Sequence, residues 1–233
     1  MSNKFYVIGT PIGNMEDITY RAVRILGEVD LVLCEDTRVT KNLLNKYNIN
    51  TSTFSYPSDN LKPGTDKANP KVEKILALIK EGKTLALVSD AGTPTISDPG
   101  SVLVAKIKEV CPEVEIITIP GPSAVASALS VSGLPASDFT FLGFLPHKKG
   151  RETLFKEIAD SERTTVFYES PHRILKALAS LEKFMPERKI VIARELTKVF
   201  EQIVSGNPAE VLKYFMANSD KVRGEFVVMV SGK

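Results

Sequence analysis

Charged side chains collect directly behind three apolar runs of this chain. Glu35-Asp36-Thr37-Arg38 follows residues 30–34, and Glu169-Ser170-Pro171-His172-Arg173 follows residues 164–168. Arg194-Glu195-Leu196-Thr197-Lys198 follows residues 189–193. Two acids beside an arginine can hold a polar substrate or a metal. Asp36 or Thr37 is also expected to cap the helix that follows, since an acid suits a helix's positive end. His147 and His172 fall in loops with no cysteine nearby in sequence, so no metal site is expected. There is no GxSxG and no P-loop, so hydrolase and NTPase chemistry has no support.

Two glycine-containing stretches complete the reactive inventory. GTPIGN, from Gly9 to Asn14, invites comparison with a dinucleotide fingerprint, and Glu35 even sits where a ribose-binding acid would. Its glycines are spaced GxxxG, however, and Pro11 and Ile12 occupy a turn that needs bare backbone. Nicotinamide and flavin dinucleotides are therefore disfavoured. SDAGTPTISDPG, from Ser89 to Gly100, contains Gly92, Pro94, Pro99 and Gly100, and none of it suits regular structure. It is expected to join a buried strand, residues 84–89, to a helix starting at Ser97 or Asp98. Asp98 would be its N-cap and Pro99 its first residue. In an open α/β sheet, ligands lie outside the carboxyl ends of the strands, on loops of this kind.

The elements that must position these groups alternate. Strands are expected at residues 4–8, 30–34, 53–56, 84–89 and 115–119. Helices lie between them, one capped by Asp17 and carrying Ala22, Ile25 and Leu26, another showing Val72, Ile75, Leu76 and Ile79 at helical spacing. Residues 57–70 read as a polar surface loop. Pro120 to Ala124 ends the fifth strand and opens an Ala/Ser-rich helix. Beyond it the pattern changes: strands at 139–144, 164–168, 189–193, 202–204 and 226–230, with a hairpin turn around Thr197. Ser170 is expected to cap a helix with Pro171 at its first position. The expected fold is α/β, with two α/β domains at residues 1–119 and 120–233. The N-terminal sheet should be mainly parallel and the C-terminal sheet mixed.

Composition narrows the partners. The 233 residues carry 30 basic and 28 acidic side chains, a net charge of +2, so no global basic field announces nucleic acid. Any such partner must be held by a local patch. Cys34 and Cys111 show no metal or redox spacing, no signal peptide fits, and no apolar stretch is long enough to span a membrane. A reduced, cytoplasmic protein is expected.

Taken together, GTPIGN, CEDTR, SDAGTPTISDPG, PGPSA, FYESPHR and RELTK resemble, in this order, the ribosomal small-subunit RNA methyltransferase I family. That family belongs to the tetrapyrrole methylase superfamily, and the resemblance runs from about Tyr6 to Val230. It implies S-adenosylmethionine as methyl donor, a homodimer, and 2′-O-methylation of a cytidine ribose in small-subunit ribosomal RNA, free or in the assembled subunit. It also implies a donor cleft between the two domains. Carried over position by position, donor contacts fall at Ile12, at Ala91, Gly92, Thr93 and Ile96, at Ser123 and Ala124, and at Glu169 and Leu196. A ribose hydroxyl is a poor nucleophile, so a proton acceptor is expected among Glu35, Asp36, Glu169 and Glu195. Arg38, Arg173, Arg194 and Lys198 are expected as phosphate or ribose clamps, with Lys148, Lys149 and Arg151 as further RNA contacts. A small-molecule C-methyltransferase of the tetrapyrrole branch is the alternative, and an RNA-binding protein without activity is a third. The tetrapyrrole branch typically has GxGPGD and no ESPHR. Many relatives extend beyond the last strand, so any substrate contact made there is expected to be absent here or supplied otherwise.

Overall fold

The computed structural model describes residues 4–56 and 69–233. All but the end of the polar loop expected at 57–70 lies outside the described residues. The chain divides into two compact units between Ser123 and Ala124. Among the described residues no helix is long and apolar enough to cross a membrane.

In the first unit five strands form one parallel sheet. They are β1 (Lys4–Ile8), β2 (Leu31–Cys34), β3 (Thr53–Ser55), β4 (Leu85–Leu87) and β5 (Glu115–Ile119), in the order β3-β2-β4-β1-β5. The inner strands β2 and β4 read as near-continuous apolar runs because both faces are covered. Successive side chains point to opposite faces. Phe5, Leu33, Leu85 and Leu87 therefore pack with α3 (Pro70–Lys80) and α4 (Ser101–Val110). Ile8, Val32, Ala86 and Val88 pack with α1 (Tyr20–Glu28) and α2 (Thr37–Lys46).

Three helix starts decide where polar groups point. Asp36 caps α2, its carboxylate accepting from the Arg38 N–H. Asp17 does not cap α1: it ends a separate 3-10 turn at Met15–Asp17, Ile18 and Thr19 are extended, and the Thr19 hydroxyl is the cap. Asp98 does not cap α4 either. Positive φ at Thr95, Ser97 and Gly100 keeps the preceding segment out of helical geometry, and α4 begins only at Ser101, behind Gly100. That leaves Asp98 in the loop.

The second unit contains α5 (Ala124–Ser132), β6 (Phe139–Phe144), α6 (Arg151–Asp160), β7 (Thr164–Glu169) and α7 (Ile174–Phe184). It continues with β8 (Ile190–Arg194), β9 (Gln202–Gly206), α8 (Pro208–Ala217) and β10 (Phe226–Val230). The strand order is β6-β7-β10-β8-β9; β6 and β7 are parallel, and the other neighbours are antiparallel. Phe155, Phe167, Leu178, Ile192, Phe215 and Val228 form the core on the face covered by α6, α7 and α8. Strands β7 and β8 each run one residue further than the apolar pattern suggests, so Glu169 and Arg194 are their last residues. Ser170 does not cap α7. Its carbonyl accepts from the N–H groups of Arg173 and Ile174, both at 3.0 Å, closing a turn that delays the helix to Ile174.

Candidate functional site

Loops from three adjacent strands meet at the carboxyl edge of the parallel sheet. The loop after β1 pairs with the loop after β4 as an isolated antiparallel bridge: the Thr10 N–H donates to the Gly92 carbonyl at 2.8 Å, and the Gly92 N–H returns the bond at 3.1 Å. The buried Thr10 hydroxyl donates to the Ser89 carbonyl at 3.1 Å. The loop after β5 closes against both. The Thr93 hydroxyl donates to the Pro122 carbonyl at 3.2 Å. A Cβ on Gly121 would lie 2.7 Å from the Gly9 carbonyl oxygen, so main chain rests on main chain there. Gly92 has φ +84°, and a Cβ on it would meet Ile12 Cγ2 at 3.4 Å. Ile12, Ala91, Gly92, Thr93 and Ser123 thus belong to one loop assembly, with Ile96 on its rim at 47% exposure. Ala124 opens α5, and Leu196 is buried in the turn after β8.

The loops after β2 and β4 bring carboxylates together. The Asp36 N–H donates to the Asp90 carboxylate at 3.1 Å. Asp36 also holds Arg38 across 2.6 Å, and this side-chain bond, with the cap bond, drops its carboxyl to about 2. It stays ionised at any working pH and is a weak base. Arg38 is otherwise open to solvent, its side chain 87% exposed. Glu35 is half-buried, and its carbonyl accepts from the Ser55 hydroxyl. Asp98 behaves in the opposite way to Asp36. Burial, then the negative charges of Glu35 and Asp90, push it up to about 6 against a hydrogen bond from Ser89. Two carboxylates with opposite shifts are the usual mark of divided acid–base roles. Among the described residues no three His, Cys, Asp or Glu side chains are grouped as metal ligands.

Glu169 sits where strand parity puts it. Thr165, Phe167 and Glu169 share one face of β7, and Phe167 is in the core. A carboxylate carried to the end of that face is buried and must be paired. Arg151, the first residue of α6, reaches one oxygen at 2.6 Å, and Arg173, just before α7, reaches the other at 2.8 Å. The Ser170 N–H adds a bond at 2.9 Å. The two guanidinium groups also donate to the Pro146 and Leu145 carbonyls. Glu169 therefore locks the loop after β6 to the end of β7. Its oxygens are occupied, and Arg151 and Arg173 are not presented to a phosphate. Lys148 and Lys149, at the tip of that loop, are fully presented.

A similar lock closes the β8–β9 turn. Glu195 and Thr197 take φ values of 51° and 66°, unusual for residues other than glycine. Lys198 bridges the Glu195 and Glu225 carboxylates at 2.8 Å each, and the Glu225 N–H donates to Glu195 at 2.9 Å. Burial pushes the Glu195 carboxyl up, but these bonds and the nearby Lys198 and Arg194 charges more than offset it, and the net shift is downward. The guanidinium of Arg194 donates to the Arg223 and Phe200 carbonyls. Of the four acids expected as proton acceptors, Asp36, Glu169 and Glu195 are held by cations. Asp98, expected as a cap, is a further candidate; its signal in sequence, an acid in a loop crowded with turn residues, is also that of a helix cap.

Comparison with known proteins gives the family and the fold. The profile of the Tetrapyrrole (Corrin/Porphyrin) Methylases matches residues 4–212. A Ribosomal RNA small subunit methyltransferase I from Thermotoga maritima is 46% identical over 230 residues, covering 99% of each chain. The Vibrio cholerae protein of the same name is 46% identical over 229 residues, covering 97% of this chain and 76% of its own. Among solved structures, the methyltransferase CobJ superposes with a TM-score of 0.69 at 20% identity, covering 99% of this chain and 95% of its own. Cobalt precorrin-4 methyltransferase superposes with a TM-score of 0.65 at 18% identity, covering 98% and 94%. At such identities the two structures speak for the fold alone.

Two substitutions test the locks. Gly121→Ala forces a methyl group onto the Gly9 carbonyl, where backbone cannot swing aside. Chemical denaturation should show a loss of about 1–3 kcal/mol, as for overpacked sites. Glu169→Gln removes the charge that two guanidinium groups share. The expected loss is about 3 kcal/mol or more, as when one partner of a buried pair is removed. A denaturation midpoint equal to wild type would show that the carboxylate is dispensable to the lock.

Proposed function

The chain belongs to the ribosomal RNA small subunit methyltransferase I family of tetrapyrrole methylases, and from that membership we propose how its own residues carry out the family's reaction. The reaction is S-adenosylmethionine-dependent 2′-O-methylation of a cytidine ribose in small-subunit ribosomal RNA. The observation that carries the mechanism is the three-loop assembly. Glycines let its backbone come close to a ligand, and the fit to the donor rests on that main-chain cradle around Gly92. Ile12, Ala91, Gly92, Thr93, Ile96 and Ser123 would hold it from the first unit. Because Glu169 is occupied by two arginines, its part is to shape the loop that Arg151 and Arg173 hold. The donor supplies an electrophilic methyl group on a sulfonium.

Methyl transfer depends heavily on placing the attacking oxygen in line, and a rigid loop assembly does this. The ribose hydroxyl must also lose a proton. Asp98 is the group suited to take it: half-buried, outside any ion pair with a cation among the described residues, and a stronger base than Asp36. Lys148, Lys149 and Arg38 are exposed and available to an RNA backbone. The reading includes a cytoplasmic homodimer.

Labelled donor incubated with isolated small subunits and with naked ribosomal RNA should transfer methyl to one nucleotide. Alkaline hydrolysis of the product should then lack one step of the ladder, because a 2′-O-methyl group removes the internal nucleophile. A complete ladder despite incorporation would place the methyl on a base. For Asp98→Asn, turnover should fall about 10²–10⁴-fold with donor affinity retained. Wild-type turnover should rise with pH through about 6 as Asp98 ionises. The stability sign runs the other way. A carboxyl raised above its unfolded value weakens the fold as pH rises toward 6, so Asp98→Asn should be the more thermostable protein at pH 8 and lose that advantage near pH 4. Unchanged turnover in Asp98→Asn would remove it as the base.

A further inference from the structure

The second unit contains a cavity of about 630 Å³ that the proposed reaction does not use. It lies where β8 turns into β9 and where residues 219–224 lead into β10. Its size falls in the range of small-molecule and nucleotide sites. Its lining and its setting give it a ligand class. Phe200 lines it and is 70% exposed, and its neighbour Val199 is 94% exposed. These side chains stand on an ordered turn, because Arg194, 8% exposed, donates to the Phe200 carbonyl at 3.1 Å. The turn is held in the strained backbone of Glu195 and Thr197, and strain of this kind concentrates at ligand sites.

The lining is electrically balanced, with Arg194, Lys221 and Arg223 against Glu195, Glu201 and Asp220; Arg194, Glu195 and Lys221 are engaged within the protein, and Arg223, Glu201 and Asp220 are the exposed donors and acceptors. A bare phosphate would call for excess positive charge. A wall of mixed donors and acceptors suits the edges of a nucleobase instead. Gln202, also in the lining, is set in place by its hydrogen bond to the Tyr214 hydroxyl, which Lys221 shares at 2.7 Å. Arg223 is exposed at the rim, with no hydrogen bond or ion pair from its guanidinium among the described residues.

We propose that this cavity takes one unpaired nucleotide of the acceptor RNA, with its base stacked on Phe200 and its phosphate met by Arg223. The proposal rests on the ribosomal RNA reading above and names a contact for it. A single-stranded segment is the form in which bases are free to stack on an aromatic side chain. With a net charge of only +2, local contacts must supply most of the grip.

The test compares wild type with Phe200→Ala, Phe200→Trp and Arg223→Ala. Methyl transfer to small subunits gives the acceptor KM, calorimetry gives donor affinity, and light scattering gives mass. Fluorescence anisotropy follows binding of labelled single-stranded fragments of small-subunit ribosomal RNA. Losing one stacked base should raise the acceptor KM of Phe200→Ala about tenfold or more, with donor affinity unchanged. Phe200→Trp should restore it. Arg223→Ala should flatten the salt dependence of fragment binding by about 0.7 log units per tenfold salt. An acceptor KM within twofold of wild type overturns the proposal. Loss of donor affinity would make the cavity a donor subsite, and a halved mass would make it an interface between copies; either overturns it too. Wild type that binds fragments through Phe200 but methylates nothing overturns the methylase reading and leaves the cavity. Wild type that methylates, with Phe200→Ala indistinguishable from it, does the reverse.

Discussion

Main chain lies directly on main chain at Gly9 and Gly121, and the loop assembly of the first unit depends on it. Strands β4, β1 and β5 are neighbours in a parallel sheet, so their carboxyl ends emerge side by side, about 4.8 Å apart. Three loops must share the space above them. A side chain on either glycine would separate the first and third loops, since its Cβ would fall within 2.8 Å of backbone atoms. With hydrogens there instead, the Thr10–Gly92 bridge and the Thr93–Pro122 bond can form. The assembly is rigid because backbone groups hold it, and backbone groups do not change rotamer.

Electrostatics then sorts the charged residues into two populations. In one, charges neutralise each other and define shape: Glu169 with Arg151 and Arg173, Glu195 with Lys198, Arg194 with two carbonyls. In the other, charge is left to face solvent or substrate, as at Lys148, Lys149, Arg223 and Asp98. Residue type does not separate the two. A buried carboxylate that accepts two guanidinium groups is chemically inert, whereas a half-buried one beside other acids is easily protonated. The charged motifs ESPHR and RELTK are chiefly locks.

Most strands were legible, because period and turn residues agree over short distances. Strands β1, β5, β6 and β10 have the bounds expected from their apolar runs. Helix starts were less so. Asp17, Asp98 and Ser170 are all good capping types, yet none caps its helix. At Asp98 and Ser170 a local turn competes with the cap, and left-handed residues such as Thr95 and Ser97 give no warning in sequence. The motifs fall on the loops that follow the strands, as their turn residues suggest. They could not reveal that Glu169 lies on the core face, since that follows from β7 running one residue beyond its apolar stretch.

Strand order in the second unit also governs how the protein can be made. β10 sits between β7 and β8 and pairs with both. Until residues 226–230 have been synthesised and released, the unit exists as two fragments, the β6–β7 pair and the β8–β9 hairpin, each with an open apolar edge. The first unit meets no such delay, because its five strands and their loops precede residue 124. Its parallel sheet can close while the rest of the chain is still on the ribosome. The second unit must wait for a contact distant in sequence, which slows folding and leaves strand edges exposed. Nascent chains stalled before and after β10 should therefore differ sharply in protease resistance, and in the second unit alone.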